Sequence, residues 1–557
     1  MAESRAAPQV DPQAELHLVP GLDAQGQLAR RLDGRATFER GPRAQDLTVR
    51  LARAADLPAA AAEAVGSLHL ALATVVATDE ERSPDHDLKV RYVFEPAARG
   101  GALEDRFFTL VVSTDPAAPE VPSLATLVPA ASWHEREARD LLGVVPVGHP
   151  DPRPLVVHDG WPAGVYPLRK SFDPRQHPVR EPAPEFPHLI VEGEGVFEVP
   201  VGPIHAGIIE PGHFRFSSIG EKVVHFEARL FYTHRGLEKR MEGLSAAEGA
   251  FVAERICGVC SVAHGLGYAE AVEQIAETAV PPRARTIRSV ALELERLYNH
   301  AGDLGNVCAG ASYHYGTSAG LRIKEELQRL NEQVSGSRFL RGLVCPGGVR
   351  RDLAADAAAA IERALGRCEA GLKDLVRRID TNPTVVDRFA ATGRLARDVA
   401  VDLGVSGVAA RASGVDRDAR RDHPHAAYAA TGPLAVRVVL DDEGDVQARV
   451  KVRAAEAHES IRLVRALVAS LEPGPVVVTV PERLEPGRIG LASIESPRGA
   501  AVHWLRADEH GRIDRYHLRS PSYANWPAVV VAAQGAIVPD FPLVNKSFEL
   551  CYSCTDR

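Results

Sequence analysis

Two cysteine pairs, Cys257-Gly258-Val259-Cys260 and Cys551-Tyr552-Ser553-Cys554, bound the second half of the chain. A CxxC spacing lets two sulfurs converge on one centre, and thiolates are soft ligands suited to Ni, Fe, Zn or an Fe–S cluster. Short zinc modules keep their pairs within about 20 residues of each other, which is not the case here. If all four sulfurs meet, the last residues must fold back to a point the chain left halfway along its length. Each pair taken alone also reads as a redox dithiol or half a zinc site. Ligand type does not choose between zinc and a nickel–iron pair. The other cysteines, Cys308, Cys345 and Cys368, have no partner spacing and read as buried structural thiols. Seven cysteines, an odd count, argue against a disulfide framework.

A chain of 557 residues is too long for one core, so two domains of unequal size are expected. Hydrophobic residues make up 45% and charged residues 25%, values that exclude global disorder. The net charge of −9 carries no basic footprint for nucleic acid. The apolar run Leu70–Ala77 falls short of the roughly 20 residues a membrane span needs, and the opening MAESRAAPQVDPQ lacks the pattern of a secretory signal.

Residues 1–180 read as mixed α/β, with strands at Leu88–Phe94 and Arg106–Ser113. The proline-rich stretch Pro174–Pro187 reads as a linker. From about Val196 alternation predicts a hairpin, HFRFSS and KVVHFEARLFYTH, with Gly220 in its turn. Helices follow. One begins at Pro281-Pro282 and carries Ile287, Val290, Ala291, Leu294, Leu297 and Tyr298 on one face; others are expected at about 322–332, 352–380 and 454–471. The last 90 or so residues read as short strands and loops.

The motifs resemble a known family. RICGVC followed by His264, together with CYSCTDR at the other end, resembles the metal-ligand motifs of nickel–iron (NiFe) hydrogenase large subunits, in the membrane-bound, complex-I-related group 4 variant of formate hydrogenlyase and hydrogenase-4 type. The likeness continues through Gly202–Phe216, Thr233–Gly243, Arg411–Pro424, Glu495–Gly499 and Ser522–Pro527. In the N-terminal part, His134–Val144, Gly148–Leu155 and Tyr166–Phe172 resemble the 30-kDa subunit of complex I. The fold this implies is α+β: an α/β docking domain over 1–180, a linker over 181–195, and a mainly helical hydrogenase large-subunit domain with small β-sheets over 196–557, similar to the complex I 49-kDa subunit. The first domain would dock partner subunits and shows no metal-ligand cluster. Its charged run Glu135–Arg139 reads equally as a solvated helix face.

By this resemblance Cys257 and Cys551 are terminal ligands of Ni, and Cys260 and Cys554 bridge Ni to an Fe that carries CO and cyanide. His264 hydrogen-bonds a bridging sulfur. Glu210 relays protons between a terminal cysteine and solvent. Arg498 overhangs the open face of the metals. Pro521 and Ser522 surround a cyanide. The lesser alternatives are a surface glutamate beside Pro211 for Glu210, a surface salt-bridge arginine for Arg498 and a core histidine for His264. Glu238 matches a magnesium or iron ligand whose usual C-terminal histidine partner is replaced by Arg557; a guanidinium cannot coordinate metal, so a Glu238–Arg557 salt bridge is the competing expectation. Glu549-Leu550 stands where Asp-Pro is common. The end after CTDR resembles a form processed by a maturation endopeptidase after nickel insertion.

The reaction implied is the interconversion of H2 with two protons and two electrons, in the direction of H2 evolution with formate-derived or ferredoxin electrons. The chain has no spare cysteine cluster for an Fe–S centre. An Fe–S small subunit, a ferredoxin-like electron-transfer subunit, complex-I-like membrane subunits, a formate dehydrogenase and nickel-insertion factors are the implied partners, with a place on the cytoplasmic face of the membrane. The competing readings are a metal-free complex-I-like quinone or NADH dehydrogenase subunit and a zinc-stapled scaffold. Against the former stand the four cysteines and Ile209, which occupies the place of the quinone-site histidine in a GPQHPSTHG-type motif.

Overall fold

A computed structural model describes residues 32, 34–81, 86–98, 105–182, 186–205, 209–429 and 431–557. The opening segment examined for a secretory signal, Ala206–Ile208 of the Gly202–Phe216 motif and Ala183–Glu185 of the proline-rich stretch lie outside these residues.

The N-terminal unit is built on five strands: β1 (Ala36–Arg40), β2 (Leu47–Leu51), β3 (Leu70–Asp79), β4 (Leu88–Pro96) and β5 (Phe108–Thr114), in the order β1-β2-β5-β4-β3. Only the β2–β5 pair is parallel. β3 and β4 are buried almost end to end because helices α1 (Leu57–Gly66) and α2 (Ala131–Leu142) and the rest of the chain cover the sheet. From residue 171 to β6 (Val196–Val201) the described residues form no helix or strand. β6, β7 (His213–Ile219) and β8 (Lys222–Arg229) make an antiparallel sheet in the order β8-β7-β6. Gly220 turns the β7–β8 hairpin at φ +59°, a conformation that costs a residue with a Cβ.

Helices α3 (Ser261–Ile275), α4 (Pro282–Gly310), α5 (His314–Ser335), α6 (Ala357–Asp380) and α7 (Val446–Ala469) form the body of the second unit. Pro282 sits in the first turn of α4, where its missing N–H is not needed. From Ile287 to Gly305 every residue of α4 is buried, so this helix is the axis of the unit. Its charged side chains must find partners inside. Glu293, for instance, takes Arg420, Tyr428 and Ser460. A Cβ on Gly320 of α5 would stand 2.7 Å from the Gly305 backbone of α4, which is how the two helices come so close. A sheet of β9 (Ile489–Ser496), β10 (Gly499–Ala507) and β11 (Ile513–Arg519) follows, then α8 (Pro521–Ala533), α9 (Phe541–Phe548) and α10 (Tyr552–Asp556).

Two expectations need correction. The last residues are not mainly strands and loops: the prolines at 521 and 542 start helices at their first turns, and Pro527 is accommodated inside α8. Nor is the Glu135–Arg139 run a solvated face. The Glu135 carboxylate accepts from Tyr92, Ser123 and the Leu124 amide. Glu135, Arg136 and Glu137 are all buried where α2 lies between the two units. The helix bounds also shift, the second being longer than expected (His314–Ser335) and the fourth starting earlier, at Val446.

Buried polar ties join the units. Lys170 reaches Asp514 and Glu242, Arg506 reaches Glu80, and His423 Nε2 lies 3.0 Å from Glu95 with its Nδ1 3.4 Å from Asp105. Burial opposes charge on His423, but Asp105 and Glu95 outweigh it and raise its pKa. Glu95 is held well below the carboxylate range despite burial, by Arg417 and His423. The tie is therefore complete below the ordinary histidine pKa of about 6.5 and is lost as pH rises through the raised value. Melting temperature should fall more between about pH 6 and pH 9 in the wild type than in His423→Gln, which has no such group to titrate. Equal pH dependence in thermal unfolding would refute this.

Candidate metal centre

The sulfurs meet. Cys257, Cys551 and Cys554 place their Sγ atoms within 4.8 Å of one another, with Cys257 3.5 Å from Cys551. Cys260 completes the group: hydrogen bonds from the Cys260, Cys551 and Cys554 thiols hold Cys257 well below the usual thiol range, while that interaction pushes the Cys260 and Cys551 thiols up. Three of the cysteines are buried and Cys551 is partly open. Four converging thiols are the donor set of a soft metal centre.

Both loops are positioned by local structure. Cys260 immediately precedes α3, and Glu295 of α4 accepts from the Val262 and Ala263 amides at 2.7 and 3.0 Å, satisfying the first turn of that helix. Tyr298 and Asn299 of α4 both donate to the Val259 carbonyl between the first two cysteines. At the other end, Asp556 accepts from the Phe231 and Thr233 amides and the Thr233 hydroxyl. Ser520, the cap of α8, donates to the Cys554 carbonyl at 2.7 Å.

The expected site residues fall as follows. His264 Nε2 lies 3.0 Å from Cys554 Sγ. Burial brings its pKa down to about 4, so the ring is neutral, and the Nε2–H tautomer lets it donate to the sulfur while Nδ1 has no partner among the described residues. Arg498 follows β9 at its turn into β10; its Nη1 is 4.0 Å from Cys260 Sγ and 2.8 Å from Asn299 Oδ1, its Nη2 is 3.4 Å from Asp303, and its Nε donates to the Glu549 carbonyl at 2.6 Å. Burial disfavours its charge, but Asp303 and Cys260 outweigh burial and the guanidinium stays cationic. Glu210 is half-buried and accepts a hydrogen bond from Ser553, the residue just before Cys554. Ser522 accepts from the Cys551 amide at 3.0 Å, and Pro521 is buried in the first turn of α8.

Glu238 lies apart from the sulfurs. Its two oxygens face Arg515 at 2.7 Å and Arg557 at 3.1 Å, with His517 Nδ1 at 3.3 Å from the latter oxygen. The expected Glu238–Arg557 pair is present. Burial would raise the Glu238 pKa, yet Arg515 and His517 hold it well below the usual range. Cys308, Cys345 and Cys368 are buried away from the site, and burial pushes the Cys308 and Cys368 thiols up to about 12.

The chain matches three family models. The 49-kDa subunit of respiratory-chain NADH dehydrogenase matches residues 316–491 and 483–557, the 30-kDa subunit matches 51–178, and the nickel-dependent hydrogenase model matches 235–302. Formate hydrogenlyase subunit 5 of Escherichia coli (strain K12) is 38% identical over 455 residues, 81% of this chain and 79% of the relative. The chain belongs to the large-subunit family of membrane-bound, complex-I-related NiFe hydrogenases. Hydrogenase-4 component G of the same organism is 37% identical over 441 residues, 79% of this chain and 76% of the relative. Among solved structures, a chain of the membrane-bound sulfane sulfur reductase, an archaeal respiratory membrane complex, superimposes with a TM-score of 0.61 at 26% identity, covering 65% of this chain and 99% of that one. The large-subunit fold is therefore shared with a complex named for sulfur reduction, and activity has to be argued from the site.

Sequence reasoning missed several residues of this hydrogenase site. Arg235 donates to the Arg255 and Ile256 carbonyls beside the first pair and to the Ser553 carbonyl within the second, bridging both ligand loops. Asn299 and Asp303, one turn apart on α4, fix Arg498. Arg235 was visible only as part of the quoted Thr233–Gly243 motif. Asn299 and Asp303 follow Leu297 and Tyr298 at helical spacing, but nothing local marks them as partners of a residue far along the chain.

Proposed function

We infer that the chain is the catalytic large subunit of a membrane-bound NiFe hydrogenase, interconverting H2 with two protons and two electrons. The observation that carries this reading is the convergence of four thiols, from both ends of the second unit, on one largely buried point. A nickel–iron pair bound there supplies the redox capacity for making or splitting H2, beside thiolate sulfurs able to take up a proton. Cys257 and Cys551 are assigned as terminal nickel ligands, Cys260 and Cys554 as bridges, and CO and cyanide as the remaining ligands of iron.

The surrounding side chains divide the remaining work. Arg498, fixed by Asn299 and Asp303, holds a permanent positive charge over the Cys260 side of the centre. His264 donates to Cys554 and so withdraws electron density from that sulfur. Pro521 and Ser522 would surround a cyanide of the bound group; the Ser522 hydroxyl accepts from the Cys551 amide and keeps its own proton, which it could donate to that ligand. Glu210, hydrogen-bonded to Ser553 and half exposed, passes protons between the sulfurs and solvent.

Among the described residues no helix is long and apolar enough to cross a membrane. Relatives include a subunit of a membrane-bound hydrogenase and a chain of a respiratory membrane complex, and these support membrane-subunit partners. The finer proposals are a docking domain over 1–180, a linker over 181–195 and a catalytic domain over 196–557. They extend to a place on the cytoplasmic face, electron exit through an Fe–S small subunit and a ferredoxin-like subunit, electrons from formate dehydrogenase or ferredoxin, and maturation by a nickel-insertion system and an endopeptidase. Elemental analysis with infrared spectroscopy of the purified complex tests the central reading: one nickel per chain and bands of metal-bound CO and cyanide are expected. Zinc in place of nickel, or no metal at the four thiols, would overturn it.

A further inference from the structure

Glu137, Glu238 and His517 each bring one ligand atom within 4.8 Å of the others, and all three are buried. Two carboxylates and an imidazole are the donors a divalent cation takes. Here the chain supplies the positive charge itself. Arg557 donates through Nη1 to Glu238 Oε1 at 3.1 Å and to the Leu518 carbonyl at 2.6 Å, and through Nη2 to Glu137 Oε2 at 2.5 Å. Its guanidinium lies over the Tyr523 ring, 4.7 Å from the centroid. Arg515 holds the second oxygen of Glu238 at 2.7 Å. Two carboxylates therefore face two guanidiniums, and the Arg515 and Arg557 side chains are only 4% and 2% exposed. A divalent ion entering the nest would set two more positive charges beside two almost fully buried cations. The residues do not fit a magnesium or iron ion at Glu238.

We infer that Arg557 is a positioning residue of the metal centre: it stands where a divalent cation would otherwise sit and ties the Cys554 end of the chain to Glu137 of the N-terminal unit. The lever is short. The Arg557 amide donates to the Ser553 carbonyl, and the Thr555 amide to that of Cys551, so the anchor lies one helical turn from Cys554 and belongs to the same hydrogen-bonded helix end that Cys551 opens. Glu137 belongs to α2, which gives the N-terminal unit a hand in closing the thiol cluster in addition to docking partners. The fork of a guanidinium bridges two carboxylates and a carbonyl at once, which a lysine ammonium cannot match in geometry.

The intact complex is titrated with Mn2+ and followed by electron paramagnetic resonance, and amide hydrogen exchange is read over residues 549–557. No Mn2+ signal that depends on Glu238 is expected in the wild type. Arg557→His removes the guanidinium and is expected to bind one immobilised Mn2+ per chain, which slows its otherwise raised exchange. Glu137→Gln is expected to speed exchange of the Thr555 and Arg557 amides at least tenfold, and Arg557→Lys to restore only part of the wild-type protection. A wild-type Mn2+ signal abolished by Glu238→Gln overturns the proposal, as does unchanged exchange in Glu137→Gln. If the Glu137 variant does not assemble, the wild-type titration still decides. Nickel content is measured separately, so a failure of the hydrogenase reading is not confused with a failure here.

Discussion

Replacing Cys554 by serine is expected to leave a folded chain that carries no stable nickel and makes no detectable H2. The Cys554 side chain is fully buried, its sulfur sits within 4.8 Å of those of Cys257 and Cys551, and the neutral His264 ring points at it from 3.0 Å. A serine hydroxyl is a harder, far more basic donor and does not replace a thiolate on a soft metal. Altering a residue that merely orients a ligand costs about 10–100-fold in metal affinity or activity, so losing the ligand itself should exceed that range, with His264→Ala falling inside it. Cys257→Ser and Cys551→Ser should match Cys554→Ser. Cys308→Ser, at a buried thiol remote from the cluster, is the control and should keep nickel and turnover. Elemental analysis and H2 evolution from a reduced artificial donor provide the measurement; full activity in any of the three ligand variants would remove the basis of the assignment.

The two cysteine pairs were legible because spacing and residue type are local properties, and so were the hairpin at Gly220 and the apolar face of α4. Even the nest at Glu238 was half legible, since a guanidinium at 557 cannot ligate metal and a Glu238–Arg557 pair was the competing expectation. What the sequence hides is burial of charge. Glu135, Arg136 and Glu137 have the composition of a solvated helix face, and only the packing of α2 between two units turns them inward. Likewise Glu293, Arg411, Arg420, Glu456 and Glu495 scatter along the chain and meet only in the folded interior. Long-range polar pairing leaves no periodic signal, because periodicity reports the side of an element that faces the core and not the partner waiting there. The C-terminal helices were hidden for another reason: Pro521 and Pro542 stand in first turns, where proline opens a helix and leaves no apolar periodicity to announce it.

Glu210→Gln should lower H2 turnover by about two orders of magnitude while nickel and iron stay bound, the range over which a positioned general acid–base group acts. Glutamine preserves the shape and can still accept the Ser553 hydroxyl proton, so the loop holding Cys551 and Cys554 should not move. What it cannot do is take up and release a proton. The residue is half-buried and its carboxylate takes the Ser553 hydroxyl, beside Cys554 in the chain, a placement that suits a relay. If Glu210 instead served only to hold the loop, the glutamine variant would turn over normally, whereas Glu210→Ala would lose metal. The two cases separate cleanly when metal content, H2 evolution and the exchange of D2 with solvent protons are measured together. A relay predicts that D2 exchange and H2 evolution fall in step at constant metal content. Wild-type turnover in Glu210→Gln would assign proton passage to another group, and Ser553→Ala would then show whether the hydroxyl beside Cys554 belongs to that path.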